Sequence, residues 1–215
     1  MSQDSRFGSG GAPRPHARPA FEGVEVPPFW KIVPPWRSGE GEGVRVVLQP
    51  GAGFGTGAHE TTQLCLQAIS AAAPRGGEAW RMLDFGSGSG ILAIGAAKLG
   101  ATVEAIEIDE RAIENAEENA RLNAVADRIR YSRSLEGVHG PFEMVIANIL
   151  RQVLLDFAGA LTARLDPGGM LVLSGLVSTD IPEVSVRYSS LLGGRRPEVY
   201  QRGDWRALAW RPPTT

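Results

Sequence analysis

From Val44 onward the chain alternates between short apolar runs and longer amphipathic blocks. Residues 44–48, 79–85, 102–108, 128–132, 142–148 and 170–174 read as strands, and the short, mostly apolar runs at 79–85 and 142–148 fit buried ones. Between them, 60–73, 90–99, 110–123, 151–165 and 179–192 carry apolar residues at helical spacing, as with Leu64, Ala68 and Ile69. The block at 90–99 is alanine-rich and stops at Gly100, a residue suited to the left-handed position that ends a helix. The block at 110–123 is heavily charged, as a solvated helix face is. Asp166-Pro167-Gly168-Gly169 stops the helix over 151–165. Residues 195–201 and 205–210 read as a hairpin turning at Gly203-Asp204. Strands alternating with helices predict an α/β fold, a mostly parallel sheet covered by helices on both faces. The closing hairpin adds an antiparallel strand at or near one edge.

The first 40 residues break this pattern. They are rich in Gly and Pro, including Pro27-Pro28 and Pro34-Pro35, and read as a partly disordered tail (1–40) ahead of the folded domain (41–215). Phe21, Phe29, Trp30 and Trp36 imply that the second half of the tail packs on something. The tryptophans at 30, 36, 80, 205 and 210 show no spacing pattern and read as core and edge packing.

Composition narrows the function. A formal net charge of −2 argues against nucleic acid as a direct partner. The single cysteine, Cys65, excludes an internal disulfide and reads as a small buried residue. No apolar run approaches the ~18 residues of a membrane span, and no signal pattern opens the chain, so a cytoplasmic protein without membrane contact is expected. His16, His59 and His139 are scattered, and no metal site is expected.

The strongest local signal is Asp84-Phe85-Gly86-Ser87-Gly88-Ser89-Gly90, set between an apolar strand and an alanine-rich helix. Glycines there let the backbone bend sharply and let a ligand approach without a Cβ in the way. The next strand ends in Glu107, about twenty positions on, where a carboxylate can accept hydrogen bonds from both hydroxyls of a ribose. A dinucleotide fingerprint would read G-x-G-x-x-G. The G-x-G-x-G spacing here, preceded by Asp84, resembles instead the first motif of class I methyltransferases.

The segment from Pro50 to Thr62, Pro-Gly-Ala-Gly-Phe-Gly-Thr-Gly-Ala-His-Glu-Thr-Thr, resembles the P-G-x-x-F-G-T-G-x-H-x-T-T signature of bacterial ribosomal protein L11 methyltransferases, the PrmA-type family. Val145-Ile146-Ala147-Asn148-Ile149-Leu150 is similar to its V-x-A-N-I-L segment, and Ser134-Leu135-Glu136 with Gly140-Pro141-Phe142 matches its spacing. Ile32-Val33-Pro34-Pro35-Trp36 looks like the strand entering the domain, and the resemblance runs from 32 to about 210. It implies a Rossmann-like domain with a seven-stranded sheet, S-adenosylmethionine as cofactor, and methyl transfer to a lysine or terminal amine of a protein. Thr62, Gly86, Glu107 and Asn148 match cofactor positions, with Glu107 standing where the family usually has Asp. Thr56, Asp84, Gly88 and Gly90 complete the expected cofactor set. The family usually carries a separate N-terminal recognition domain. Here the tail stands in its place, so weak or absent activity on L11, or activity limited to one exposed amine, is expected.

In this reading Asn148 aims the amine, the competing role being a cap on the following helix. His59 is either a general base or a structural residue that shapes its loop, and the structural role is favoured because methyl transfer often needs no dedicated base. Thr61 reads as the start of the helix. Three further functions stay open: methylation of a non-ribosomal protein such as an electron-transfer flavoprotein subunit, methylation of a small-molecule amine, and non-catalytic binding of the cofactor.

Overall fold

A computed structural model describes residues 21–37, 42–49, 51, 57–74 and 78–212. In chain order the elements are β1 (Val24–Val26), β2 (Trp30–Val33), β3 (Val44–Val47), α1 (Glu60–Ala72), β4 (Trp80–Phe85), α2 (Ile91–Lys98), β5 (Ala101–Ile106), α3 (Glu110–Leu122), β6 (Ile129–Ser132), β7 (Phe142–Asn148), α4 (Arg151–Asp156), α5 (Ala158–Thr162), β8 (Leu165–Val177), α6 (Ile181–Leu191), β9 (Glu198–Arg202) and β10 (Trp205–Trp210). Among the described residues no helix is long and apolar enough to cross a membrane.

The main sheet has seven strands in the order β6-β5-β4-β7-β8-β10-β9. β4 to β8 pair in parallel, and β10 runs antiparallel to both β8 and β9. This is the mostly parallel sheet with a closing antiparallel hairpin that the residue pattern predicts, and its seven Rossmann-like strands are those the family resemblance implies. Each face carries one core. Trp80 and Met82 of β4 point into the core shared with α1 and α2, while Leu83 and Phe85 point into the core beneath α4, α5 and α6. α2 is buried along Ile91–Ala97, so its apolar residues have no solvent face to spare.

The sequence pattern and the structure differ in three places. First, residues 24–33, assigned to the tail by their Pro/Gly content, form β1 and β2, which join β3 in a small second sheet. Trp30 (1% exposed) and Ile32 (0%) are core residues, and the Trp30 indole donates to Ser70 Oγ at 2.7 Å and Leu66 O at 3.1 Å. Strands of three and four residues are too short to show a period. Residues 1–20 lie outside the described residues. Second, the helix expected over 151–165 breaks at Phe157, whose ring packs 4.9 Å from that of Phe85. Third, Asp166–Gly169 is not a loop but an irregularity inside β8. Phe142 pairs with Leu165 and Met144 with Met170, so the residues between them bulge out.

Two buried asparagines of the α3 region fasten the small sheet to the main body. Asn123 receives Val47 N–H at 2.9 Å and donates to Val47 O at 2.6 Å, completing β3 as a neighbouring strand would. Asn119, fully buried, receives Gln49 N–H at 2.7 Å and donates to Ser89 O at 3.0 Å. One side chain thus bridges the segment after β3 and the glycine-rich turn after β4. Asn119→Leu, similar in volume but unable to hydrogen-bond, deprives both backbone groups of this partner. We expect a loss of about 2–3 kcal/mol in urea unfolding. A change under about 0.5 kcal/mol would show that the bridge is dispensable.

Candidate active site

The strand order reverses beside β4: the chain builds β5 and β6 on one side, then β7 and β8 on the other. In such sheets the carboxyl ends of the strands at the reversal leave a crevice. Here it holds a cavity of about 720 Å³, lined by the ends of β4, β5 and β7, the first turn of α1 and Trp205 of the hairpin. That volume falls in the usual range for small-molecule sites, about 300–1,000 Å³.

The turn after β4 forms the floor. Gly86, Gly88 and Gly90 adopt φ of +84°, +52° and +79°, a left-handed backbone that side chains rarely tolerate. The turn is fixed from the neighbouring strand, because Gly86 N–H and Ser87 N–H both donate to Ile106 O, at 2.8 and 2.9 Å. Alternation along β4 sends Asp84 to the α2 side, where it is fully buried and accepts from Ala93 N–H at 3.1 Å. It therefore caps the start of α2 from outside the helix. Burial pushes the Asp84 carboxyl up to about 7; the Ala93 bond opposes this, and the nearby Glu107 charge adds to it.

Glu107 forms one wall. Its Oε2 accepts from Gly88 N–H at 2.9 Å, and its Oε1 from Ile108 N–H at 2.8 Å and Asp109 N–H at 3.1 Å. Three backbone donors leave the carboxylate little freedom to turn, while Oε2, with a single donor, keeps a free lone pair for a further hydrogen bond. Opposite stands Asn148, the last residue of β7. The cap position of α4 is Leu150, so Asn148 is not the helix cap.

His59 caps α1. It accepts from Thr61 N–H at 3.4 Å, and its Nδ1 lies 2.8 Å from Thr61 Oγ1. The cap is thus His59, two residues before Thr61, and the helix begins at Glu60. The His59 ring meets Trp205 edge-on at 4.9 Å, which joins the α1 loop to the closing hairpin.

His59, Thr62, Gly86, Gly88, Glu107 and Asn148 all line this one cavity. Asp84 and Gly90 do not. Asp84 works beneath the turn, and Gly90 starts α2 in a space where a Cβ would lie 2.7 Å from the Tyr131 hydroxyl and 3.0 Å from Ala116 Cβ. Thr56 lies outside the described residues. Sequence reasoning missed Ser87, Ile149, Gly175 and Trp205 of the lining. A glycine inside the apolar run of β8 was the available signal for Gly175. Nothing local marks Trp205, which the fold alone brings to the site.

The lining also shows what fits. The Thr62 and Ser87 hydroxyls are buried among the described residues without a partner. Buried polar atoms in native proteins are rarely left so, and two of them facing one cavity suit a ligand with polar groups. A fixed carboxylate, close-approach glycines and unpartnered hydroxyls together fit a nucleoside with an amino-acid arm.

The position of Asp84 yields a pH dependence. Its folded-state value lies above its ordinary 3.8, so the folded protein holds this proton more tightly than the unfolded chain. The resulting stability is complete below about pH 4 and is lost as the pH rises through about 7. Asp84→Asn keeps an acceptor for Ala93 N–H but cannot ionise. Urea unfolding should show the wild type losing stability relative to this variant between pH 4 and pH 7. Parallel curves would refute it.

A family model described as Ribosomal protein L11 methyltransferase (PrmA) matches residues 16–212. A ribosomal protein L11 methyltransferase of Trichlorobacter lovleyi is 46% identical over 194 residues, covering 84% of this chain and 61% of that protein. One from Geobacter sp. (strain M21) is 40% identical over 201 residues, covering 90% and 64%. The chain thus spans less than two thirds of the length of these curated relatives. The crystal structure of a ribosomal protein L11 methylase from Lactobacillus delbrueckii subsp. bulgaricus superposes with a TM-score of 0.80 at 31% identity, covering 90% of this chain and all of that one. With the family model matched over residues 16–212 and these relatives at 40–46% identity, the chain belongs to the ribosomal protein L11 methyltransferase family.

Proposed function

We propose that this chain transfers a methyl group from S-adenosylmethionine to an amine of a protein, with ribosomal protein L11 as the acceptor to which the names of its relatives point. The observation that carries this reading is the pairing, in one cavity, of the fixed Glu107 carboxylate with Asn148 on the far side of β4. Bound S-adenosylmethionine supplies a methyl carried on a sulfonium, which is electrophilic without further activation.

In this reading the Glu107 carboxylate accepts from the two ribose hydroxyls, one at the free lone pair of Oε2 and the other sharing Oε1 with its backbone donors, and Gly86 and Gly88 let the backbone approach. The Thr62 and Ser87 hydroxyls find partners on the amino-acid arm. The acceptor must arrive as a neutral amine, and an apolar cavity favours that form because desolvation penalises the ammonium. The Asn148 side-chain oxygen accepts from the amine's N–H and turns its lone pair toward the methyl. The amine, held by Asn148, would take the methyl and give up its surplus proton to solvent, the bonding pair staying on the cofactor's sulfur. We assign His59 a structural role. Its Nδ1 is taken up by Thr61, which leaves the ring's proton on Nε2 and no free nitrogen for a base.

Two variants separate binding from transfer. Glu107→Ala removes a charged acceptor of two hydrogen bonds, each worth about 1.5–3 kcal/mol, and should weaken S-adenosylhomocysteine binding in calorimetry by about a hundredfold or more. Unchanged affinity, or protection by NAD instead, would overturn the cofactor. Asn148→Ala should keep cofactor affinity within about threefold while kcat/KM for L11 falls by about a hundredfold, read by mass spectrometry of the acceptor. Equal losses in both would make Asn148 a cofactor residue only. If L11 stays unmodified by the wild type while labelled methyl enters another protein of a cell extract, the acceptor assignment fails and the chemistry stands.

A further inference from the structure

Ile149 sits between two glycines from distant parts of the chain. On one side is Gly86 of the cofactor turn, where an added Cβ would lie 2.3 Å from Ile149 Cγ2. On the other is Gly175 of β8, at φ +84°, where an added Cβ would lie 2.7 Å from Ile149 O, 3.2 Å from its N and 3.3 Å from its C. Gly175 therefore presses on the peptide groups before and after Ile149, the first of which carries the Asn148 carbonyl. All three residues line the cavity.

The surroundings give the contact its stiffness. Asn148 and Ser174 are register partners across β7 and β8. Ser174 is fully buried and donates to Thr61 O at 3.3 Å, reaching the turn of α1 that His59 caps. Between Leu173 and Leu176 the pairing of β8 with β10 slips, which is where the left-handed Gly175 falls. One dipeptide, Ser174-Gly175, thus touches the end of β7, the start of α1 and the bulge beside the hairpin.

We propose that Gly175 is a positioning residue for methyl transfer. With Gly86 it clamps Ile149, and the clamp sets the distance between the cofactor turn and Asn148. This rests on the methyltransferase reading above. A Cβ at 175 meets backbone, which cannot rotate away, so the Asn148–Ile149 segment must shift by several tenths of an ångström. Displacements of that order at a reacting centre cost up to about a hundredfold in rate. A Cβ at 86 meets only the branch methyl of Ile149, which a change of side chain can remove.

The test uses the full chain, S-adenosylhomocysteine in calorimetry, and single-turnover methylation of L11 at saturating cofactor. Gly175→Ala should slow transfer about ten- to a hundredfold with cofactor affinity within about threefold of wild type. A residue that only supports the fold would lower both together. The second arm needs no acceptor. Gly86→Ala should weaken S-adenosylhomocysteine binding about a hundredfold, and adding Ile149→Leu, which lacks the branch methyl, should bring it back to within about tenfold of wild type, the remainder being the cost of a left-handed alanine. Ile149→Leu alone is measured beside them, and the double variant should fall nearer to it than Gly86→Ala falls to wild type. Transfer unchanged by Gly175→Ala, or no recovery in the double variant, overturns the clamp. Wild-type protein that binds no S-adenosylhomocysteine overturns the methyltransferase reading, and the proposal with it.

Discussion

β5 and β7 leave β4 on opposite sides, so the chain passing from β4 into α2 has no neighbour directly ahead of it and must turn within the gap. That geometric constraint governs the rest of the site. A turn in so narrow a space needs a left-handed backbone at alternate positions, and the three glycines provide it. It also needs its N–H groups satisfied just beyond the point where regular strand pairing ends. Ile106 O takes two of them and the Glu107 carboxylate a third. The wall is thus made from the same hydrogen bonds that hold the floor, so the fold positions the Glu107 carboxylate before any ligand arrives.

Burial on both sides of β4 gives that arrangement its rigidity. Asp84 sits where a hydrophobic residue would pack as well, and the uncompensated part of its burial shows in its raised proton affinity. What the carboxyl provides is an acceptor for the first turn of α2, a helix whose starting residue is a glycine with no side chain to offer. Stability lost at Asp84 and order gained at the glycine turn belong together, as expected where function and packing compete for one position.

The elements of the main sheet were legible in the sequence because strand-length runs alternate with blocks of helical spacing from residue 79 onward. The glycine turn and Glu107 were legible because their residues are close along the chain. What escaped depends on partners far away. β1 and β2 owe their existence to pairing with β3 and to a pocket for Trp30 between α1 and α2. Trp205 read as packing, and it does pack on His59, yet it also faces the cavity, which only the return of the hairpin beside α1 decides. Asp166–Gly169 had the composition of a loop, and its place within β8 follows from the pairing of Phe142 and Met144 on the opposite strand. Asp84 and Gly90 belong to the motif without reaching the cavity, because a motif records every residue the turn needs, including those that only build it.

Asn123 has one more consequence. A sheet of three short strands ends in exposed N–H and C=O groups, and such an edge invites the edge of any other chain to continue it. On β3 the carboxamide of Asn123 occupies both groups of Val47, mimicking a strand one residue long. A side chain anchored at the end of α3 cannot be extended further, as a true strand could. At Val47 the small sheet therefore offers no free backbone group to an incoming edge, and a single amide does at this position what other edges leave to a charge, a proline or a covering helix.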